Sequence, residues 1–233
     1  MTLLSYKRIR TTVIINHTYK YIFVKTTKTA GTSLEIAFSR SCGPSDIVAP
    51  FANEEDDEYR KSLGYQTPCN YENLSIEEHS RASVISKAIS PHVWKDYFKF
   101  AIIRDPVDYA ISRYYWDNRN KLPRGIAPPI DDWLRADKKK INYNWRIHTI
   151  GNEPAMDYYI IYDHLTEDAS RVSEMLGLDY DLGEEVKSIQ TKHTVRKKQN
   201  PIERNDTYNF IRKNSVREAE LIRKLKKERD YNG

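Results

Sequence analysis

The residues best equipped for chemistry stand between Tyr21 and Phe38, in the run YIFVKTTKTAGTSLEIAF. A strand-like apolar segment gives way to Lys28, Thr29, Ala30, Gly31, Thr32 and Ser33, and then to a helical pattern. At such a junction the backbone N–H groups and the dipole of a helix N-terminus attract an anion. Small residues let the anion approach, and hydroxyls with a lysine complete a cradle. The run is not a Walker A loop, which places its lysine after the second glycine of G-x-x-x-x-G-K-[ST]; Lys28 precedes the only glycine. That argues against an ATP-dependent kinase. The plainer alternative is a capped helix start built from ordinary turn residues.

A second pair of polar groups lies in FKFAIIRDPVDYAISRYYW, Phe98 to Trp116. Arg104 leaves the end of an apolar run, and Ser112 stands nearly two helical turns beyond Asp105, so both face one side. A guanidinium fork and a hydroxyl suit a phosphate group. An arginine paired with a local carboxylate, beside a surface serine, would have the same sequence. For proton transfer near neutral pH the chain offers six histidines, His17, His79, His92, His148, His164 and His193. No Cys/His spacing fits a zinc site, so no metal is expected. Cys42 and Cys69 make no disulfide framework.

These groups need a frame. Short apolar runs alternating with helical patterns predict an α/β fold with a central, mainly parallel sheet flanked by helices. Strands are expected at Val13–Ile15, Tyr21–Val24, Phe100–Ile103 and Tyr158–Tyr162. Thr32-Ser33-Leu34-Glu35 reads as a capping box opening a helix to about Ser41. Asp105 and Pro106 open a helix to about Asn118, and another follows Thr166 and ends at Gly177. Gly43 to Tyr71, with Pro44, Pro50 and Pro68 and no clear periodicity, is expected to be a long loop. Lys121 to Pro129 is a second irregular stretch. From about Asp206 to Arg229 one long amphipathic helix is expected, with Phe210, Ile211, Val216, Leu221, Ile222 and Leu225 as its stripe. The 233 residues fit a single domain over 1–233.

Charge is uneven. The net charge is +5, yet Lys187 to Arg229 carries 14 Lys or Arg against 5 Asp or Glu, a local +9. Such a segment suits an anionic partner, or is simply a solvated helix face. Val13 to Val24 is broken by Asn16, His17, Thr18 and Lys20, so it predicts neither a signal peptide nor a membrane span, and a cytoplasmic protein is expected.

Taken in order, the motifs resemble those of sulfotransferases that use 3′-phosphoadenosine-5′-phosphosulfate (PAPS) and release the bisphosphate PAP. The Lys-Thr-Ala-Gly-Thr-Ser run is closest to the 5′-phosphosulfate loop of the carbohydrate branch, although Thr27 stands where that branch often has proline. Arg104 and Ser112 match the spacing of the family's 3′-phosphate motif. His79-Ser80-Arg81-Ala82 looks like its His-x-x-Ala segment, and Asp163-His164-Leu165 with Leu176-Gly177-Leu178 looks like a later strand-turn-helix, with Asp163 in place of the usual Glu. The resemblance implies a P-loop-like fold and in-line transfer to an acceptor hydroxyl of a carbohydrate or other small molecule. Lys28 would act on the leaving group and His79 as base, with Glu77 or Glu78 as the alternative base. It implies cofactor contacts from Lys28, Thr29, Ala30, Gly31, Thr32, Ser33, Arg104 and Ser112, and from Arg196 in the basic knot Arg196-Lys197-Lys198. The stretches 43–71 and 121–155 fall outside the resemblance and are where acceptor specificity is expected. A histidine core-facing at the start of the Ala82, Ile85, Ile89 pattern would look the same as a base; a histidine base predicts an acid limb of activity near pH 6–7, and a limb near 4–5 would point to Glu78 or Glu77 instead. Two other functions remain open: a P-loop-like small-molecule kinase, and a non-catalytic module binding anions or nucleic acid through the basic tail, although no nucleic-acid partner is expected.

Overall fold

Val13–Asn16 (β1) and Tyr21–Val24 (β2) are buried along their whole length and pair antiparallel, Val13 opposite Val24. They belong to the computed structural model of the chain, which describes residues 13–72, 74, 76, 79–189 and 200–231. Next come Gly31–Ser39 (α1), Ile47–Val48 (β3), Glu54–Ser62 (α2), Ala82–Ala88 (α3) and Pro91–Asp96 (α4). Phe98–Ile103 (β4) feeds Pro106–Asp117 (α5), followed by Ile130–Ala136 (α6) and the small hairpin Thr149–Ile150 (β5) with Glu153–Pro154 (β6). Tyr158–Ile161 (β7), Leu165–Leu176 (α7), Leu182–Ser188 (α8), Asn205–Asn214 (α9) and Val216–Glu228 (α10) complete the chain. The main sheet has the order β3-β1-β2-β4-β7. Its centre is parallel, β4 lying between β2 and β7, while β1 and β3 add an antiparallel edge. This is the α/β architecture the alternating pattern predicts.

Alternation along the strands sorts side chains to two faces. Ile14, Tyr21, Phe23 and Phe100 join Phe38 of α1, Val172 of α7 and Leu182 of α8. The rings of Phe38 and Phe100 lie 5.0 Å apart and those of Phe23 and Phe100 5.4 Å, so α1 is fixed against the sheet by aromatic packing. Ile15, Ile22, Val24, Ile103 and Ile161 face the other way, onto Ile85 of α3 and Ile222 of α10. A third cluster joins Tyr114 of α5, Trp133 and Leu134 of α6 and Ile211 of α9.

Three expectations are corrected. Gly43 to Tyr71 is not one loop: it contains β3 and the nine-residue α2. That helix is polar almost all round, so no apolar stripe announces it. It stands on the Asn53 cap, on acidic residues in its first turn, and on Arg60, whose guanidinium is buried beside Asp57 and the Ala49 carbonyl. The capping box does not form: α1 starts at Gly31 with no side-chain cap, because Glu35 is drawn inward to Lys25. The final helix is two helices. Ser215, with φ −135°, separates α9 from α10, and its hydroxyl donates to the Ile211 carbonyl at 2.7 Å.

Candidate functional site

The loops after the parallel strands β2, β4 and β7 meet at one end of the sheet, where open α/β sheets place their ligands. A cavity of about 330 Å³ lies there. It is lined by Lys25 to Ser33 from the β2–α1 loop, by His79, by Arg104, Ser112, Arg113 and Trp116 around α5, and by Tyr162 after β7. Every described residue singled out from the sequence as catalytic or cofactor-binding is in that lining. Arg196, with Lys197, Lys198, His193 and the alternative bases Glu77 and Glu78, lies outside the described residues.

The β2–α1 loop is stiffened from within. The Thr26 hydroxyl donates to the Ile102 carbonyl of β4 at 2.6 Å, and Thr29 is tied to Thr26 hydroxyl-to-hydroxyl at 2.8 Å. Lys28 and Ala30 both have positive φ, 57° and 58°, a costly conformation for residues with a Cβ that functional loops sustain. Gly31 is required by space: a Cβ there would come within 2.8 Å of Lys25 Cγ. Lys25 itself is buried and paired with Glu35 at 2.5 Å. Gly31, Thr32 and Ser33, the first residues of α1, line the cavity, which places the positive end of the helix dipole at its wall. The Lys28 ammonium sits over the Trp116 ring, 4.1 Å from its centre.

Arg104 is 4% exposed and already committed. Its Nε donates to Asp108 at 2.5 Å, Nη1 donates to the Lys28 carbonyl, and the guanidinium lies 4.0 Å from the centre of the Tyr162 ring. The local-carboxylate pairing that the sequence allowed is therefore present, and the arginine still borders the cavity. It also holds the lysine loop in place. Ser112 lines the same wall as Trp116, one helical turn further on.

His79 sits in a turn before α3, not on the helix, with φ 56°. Its Nδ1 lies 3.3 Å from the Lys25 carbonyl. A carbonyl only accepts, so Nδ1 carries the proton and Nε2 keeps its lone pair. Burial first, and then the Lys25 ammonium, lower the ring's pKa to about 4. At neutral pH the imidazole is uncharged and able to accept a proton. The other described histidines are elsewhere: His17 bonds Tyr97, His92 Asp96, His148 Tyr159, and His164 stacks on Tyr231.

Lys25, Arg113, Trp116 and Tyr162 were not picked from the sequence. Arg113 and Trp116 were recoverable, being one and four residues beyond Ser112 on the same helix. Lys25 was not, because a lysine ending a strand reads as a surface residue. A wider groove of about 930 Å³ runs between the start of α5 and α9–α10, but it contains none of the lysine loop. Among the described residues no three His, Cys, Asp or Glu gather as a metal site, and no helix is long and apolar enough to cross a membrane.

Over residues 11–230 the chain matches the family model described as the sulfotransferase family. No curated protein and no solved structure matches it.

Proposed function

Since the chain belongs to the sulfotransferase family, it is a transferase of sulfuryl groups, and we propose that it takes the group from PAPS and passes it to an acceptor hydroxyl with His79 as base. The observation that carries this reading is the convergence of four separated segments on one cavity: the Lys28 loop, His79, the Arg104–Ser112 wall and Tyr162.

Each role follows from the residue's chemistry. Sulfuryl transfer, like phosphoryl transfer, passes through a loose in-line transition state in which positioning and charge stabilisation supply the catalysis. The N-terminus of α1, with its positive dipole end at the cavity, suits the 5′-phosphosulfate, and Lys28 offsets the charge that grows on the departing phosphate oxygen. Neutral His79 takes the acceptor's proton at Nε2 while the Lys25 carbonyl holds the ring by Nδ1. Arg104 and Ser112 stand for the 3′-phosphate, and a basic closure by Arg196 fits the same charge logic. We place the acceptor on the Trp116–Arg113 side and, from the loop's likeness to the carbohydrate branch, take a sugar hydroxyl as the preferred class.

The test is formation of PAP from PAPS over a panel of sugar and small-molecule alcohols. Wild type should form it with at least one acceptor class, and Lys28→Ala should lose turnover while keeping its melting temperature, since that side chain is only partly buried. A fully active Lys28→Ala protein would remove the leaving-group role.

A further inference from the structure

Thr27 precedes the lysine assigned to the leaving group and replaces a proline common in similar loops. Proline has neither N–H nor hydroxyl; in this chain both groups of Thr27 are used, and on one atom. The Thr27 N–H and its hydroxyl each donate to Asn144 Oδ1 at 2.9 Å, and Asn144 Nδ2 donates back to the Thr27 carbonyl at 2.9 Å. Asn144 is 1% exposed and Thr27 3%, so these bonds are made without competing water. Reversing the amide would set donor against donor, which fixes its orientation. The Thr27 hydroxyl also donates toward the Tyr109 hydroxyl at 3.2 Å, so its one proton is shared between the closer Asn144 oxygen and the phenol. Burial raises that phenol's pKa to about 12, which keeps its proton in place.

The segment that supplies Asn144 also holds the base. Three residues on, the Ile147 carbonyl accepts the Ala82 N–H at 2.6 Å, and Ala82 opens α3 just after the His79 turn. Lys28 and His79 each sit at positive φ, 57° and 56°, so neither would hold its place without outside support. One short segment therefore grips both.

Resting on the sulfuryl-transfer reading above, we propose that Asn144 is a positioning residue: through its three bonds to Thr27 it sets Lys28 in register with His79 across the reacting group. In-line transfer is sensitive to that register, because a misplacement of about 1 Å can cost ~100-fold in rate.

The experiment compares Asn144→Ala, Thr27→Ser and Thr27→Val with wild type by kcat, donor KM, melting temperature and amide exchange at Thr27. Asn144→Ala should lower kcat by about 10–100-fold with a much smaller change in donor KM. Thr27→Ser keeps both donors and should match wild type. Thr27→Val keeps only the N–H and should fall between. A melting temperature that drops while kcat of the folded protein stays at the wild-type value would reduce Asn144 to a structural residue and overturn the proposal. Should Asn144→Ala fail to fold, the Ser and Val variants decide, and equal kcat for the two is the contrary result. Exchange at the Thr27 amide is independent of chemistry: it should speed up by at least about tenfold in Asn144→Ala, as loss of a buried hydrogen bond demands. Unchanged exchange in Asn144→Ala refutes the clamp; accelerated exchange in Asn144→Ala, with no PAP formed by the wild-type protein, leaves the clamp standing and refutes the sulfuryl-transfer reading instead.

Discussion

His79 is held neutral by burial and by a neighbouring ammonium, and this changes what pH should do. The ordinary histidine value near 6.5 is lowered to about 4 in the ligand-free protein. The acid limb of kcat/KM, which reports the free enzyme, should therefore lie near pH 4, well below the 6–7 expected for an unperturbed ring. The polyanionic donor opposes the Lys25 field, so the limb of kcat should lie higher than that of kcat/KM. Stability carries the same signature. Between about pH 6.5 and 4 the unfolded chain binds a proton at this ring that the folded chain refuses, so stability falls across that window and levels below it. His79→Gln should remove that part of the slope in urea unfolding at stepped pH, and should cut turnover by about 10²–10⁴-fold. Parallel stability curves for the two proteins from pH 7 to 4 would mean that the ring is not perturbed.

At the scale of elements, the strand–loop–helix from Tyr21 to Ser39 supplies most of the cavity's lining, and its tightest point is Gly31. Gly31→Ala should push against Lys25 and the Lys25–Glu35 pair, because the new methyl would meet Lys25 Cγ at 2.8 Å. We expect a lower melting temperature and weaker PAP binding together; an unchanged protein would show that the lysine stem yields freely. What the sequence made legible follows from which forces are local. Apolar strands with turn residues at their ends identified β2, β4 and β7, and Asp105-Pro106 marked α5, where Asp105 does cap the Val107 and Asp108 amides. The gathering of Lys28, His79, Arg104 and Ser112 was readable only as likeness to a family, since spacing along a chain says nothing of distance across it. Three features were hidden, the first two because tertiary forces overrode local ones and the third by a local serine-to-backbone bond. Glu35 left its capping role for Lys25, α2 rests on the buried Arg60 rather than an apolar stripe, and Ser215 broke an otherwise continuous helical pattern. Asn144 was hidden because its partner is 117 residues away.

Across the whole molecule, the end of the C-terminal helix is tied to β7 and α7 chiefly through one buried carboxylate, beside the Lys226–Asp163 pair at 2.8 Å. Asp168 is fully buried and accepts from Tyr158 at 2.9 Å, the Ile161 amide at 2.8 Å, Arg229 at 2.7 Å and Tyr231 at 2.7 Å. Removing one member of such a buried ionic set strands the others, a loss of about 3–5 kcal/mol. Asp168→Ala should destabilise by that order in denaturant titration while leaving kcat of the folded fraction near wild type, since Asp168 does not line the cavity. A stable variant would show that Ile222 and its apolar neighbours, with the Lys226–Asp163 pair and the Arg229 bond to the Tyr159 carbonyl, secure α10 without Asp168.

Lys187 to Arg229 carries a local +9, so anions of several kinds will adhere weakly at low salt. Affinity for a generic anion therefore proves nothing about the cavity; discrimination between nucleotides does. The decisive measurement is calorimetric titration at physiological salt with PAP, 5′-AMP and Mg·ATP, on wild type and on Arg104→Ala. PAP differs from 5′-AMP only by the 3′-phosphate assigned to Arg104 and Ser112. Wild type should bind PAP at least about tenfold more tightly than 5′-AMP, the scale of one charge-assisted phosphate contact, and Arg104→Ala should erase most of that margin. Equal affinity for PAP and 5′-AMP, or a preference for Mg·ATP, would contradict PAPS as the donor.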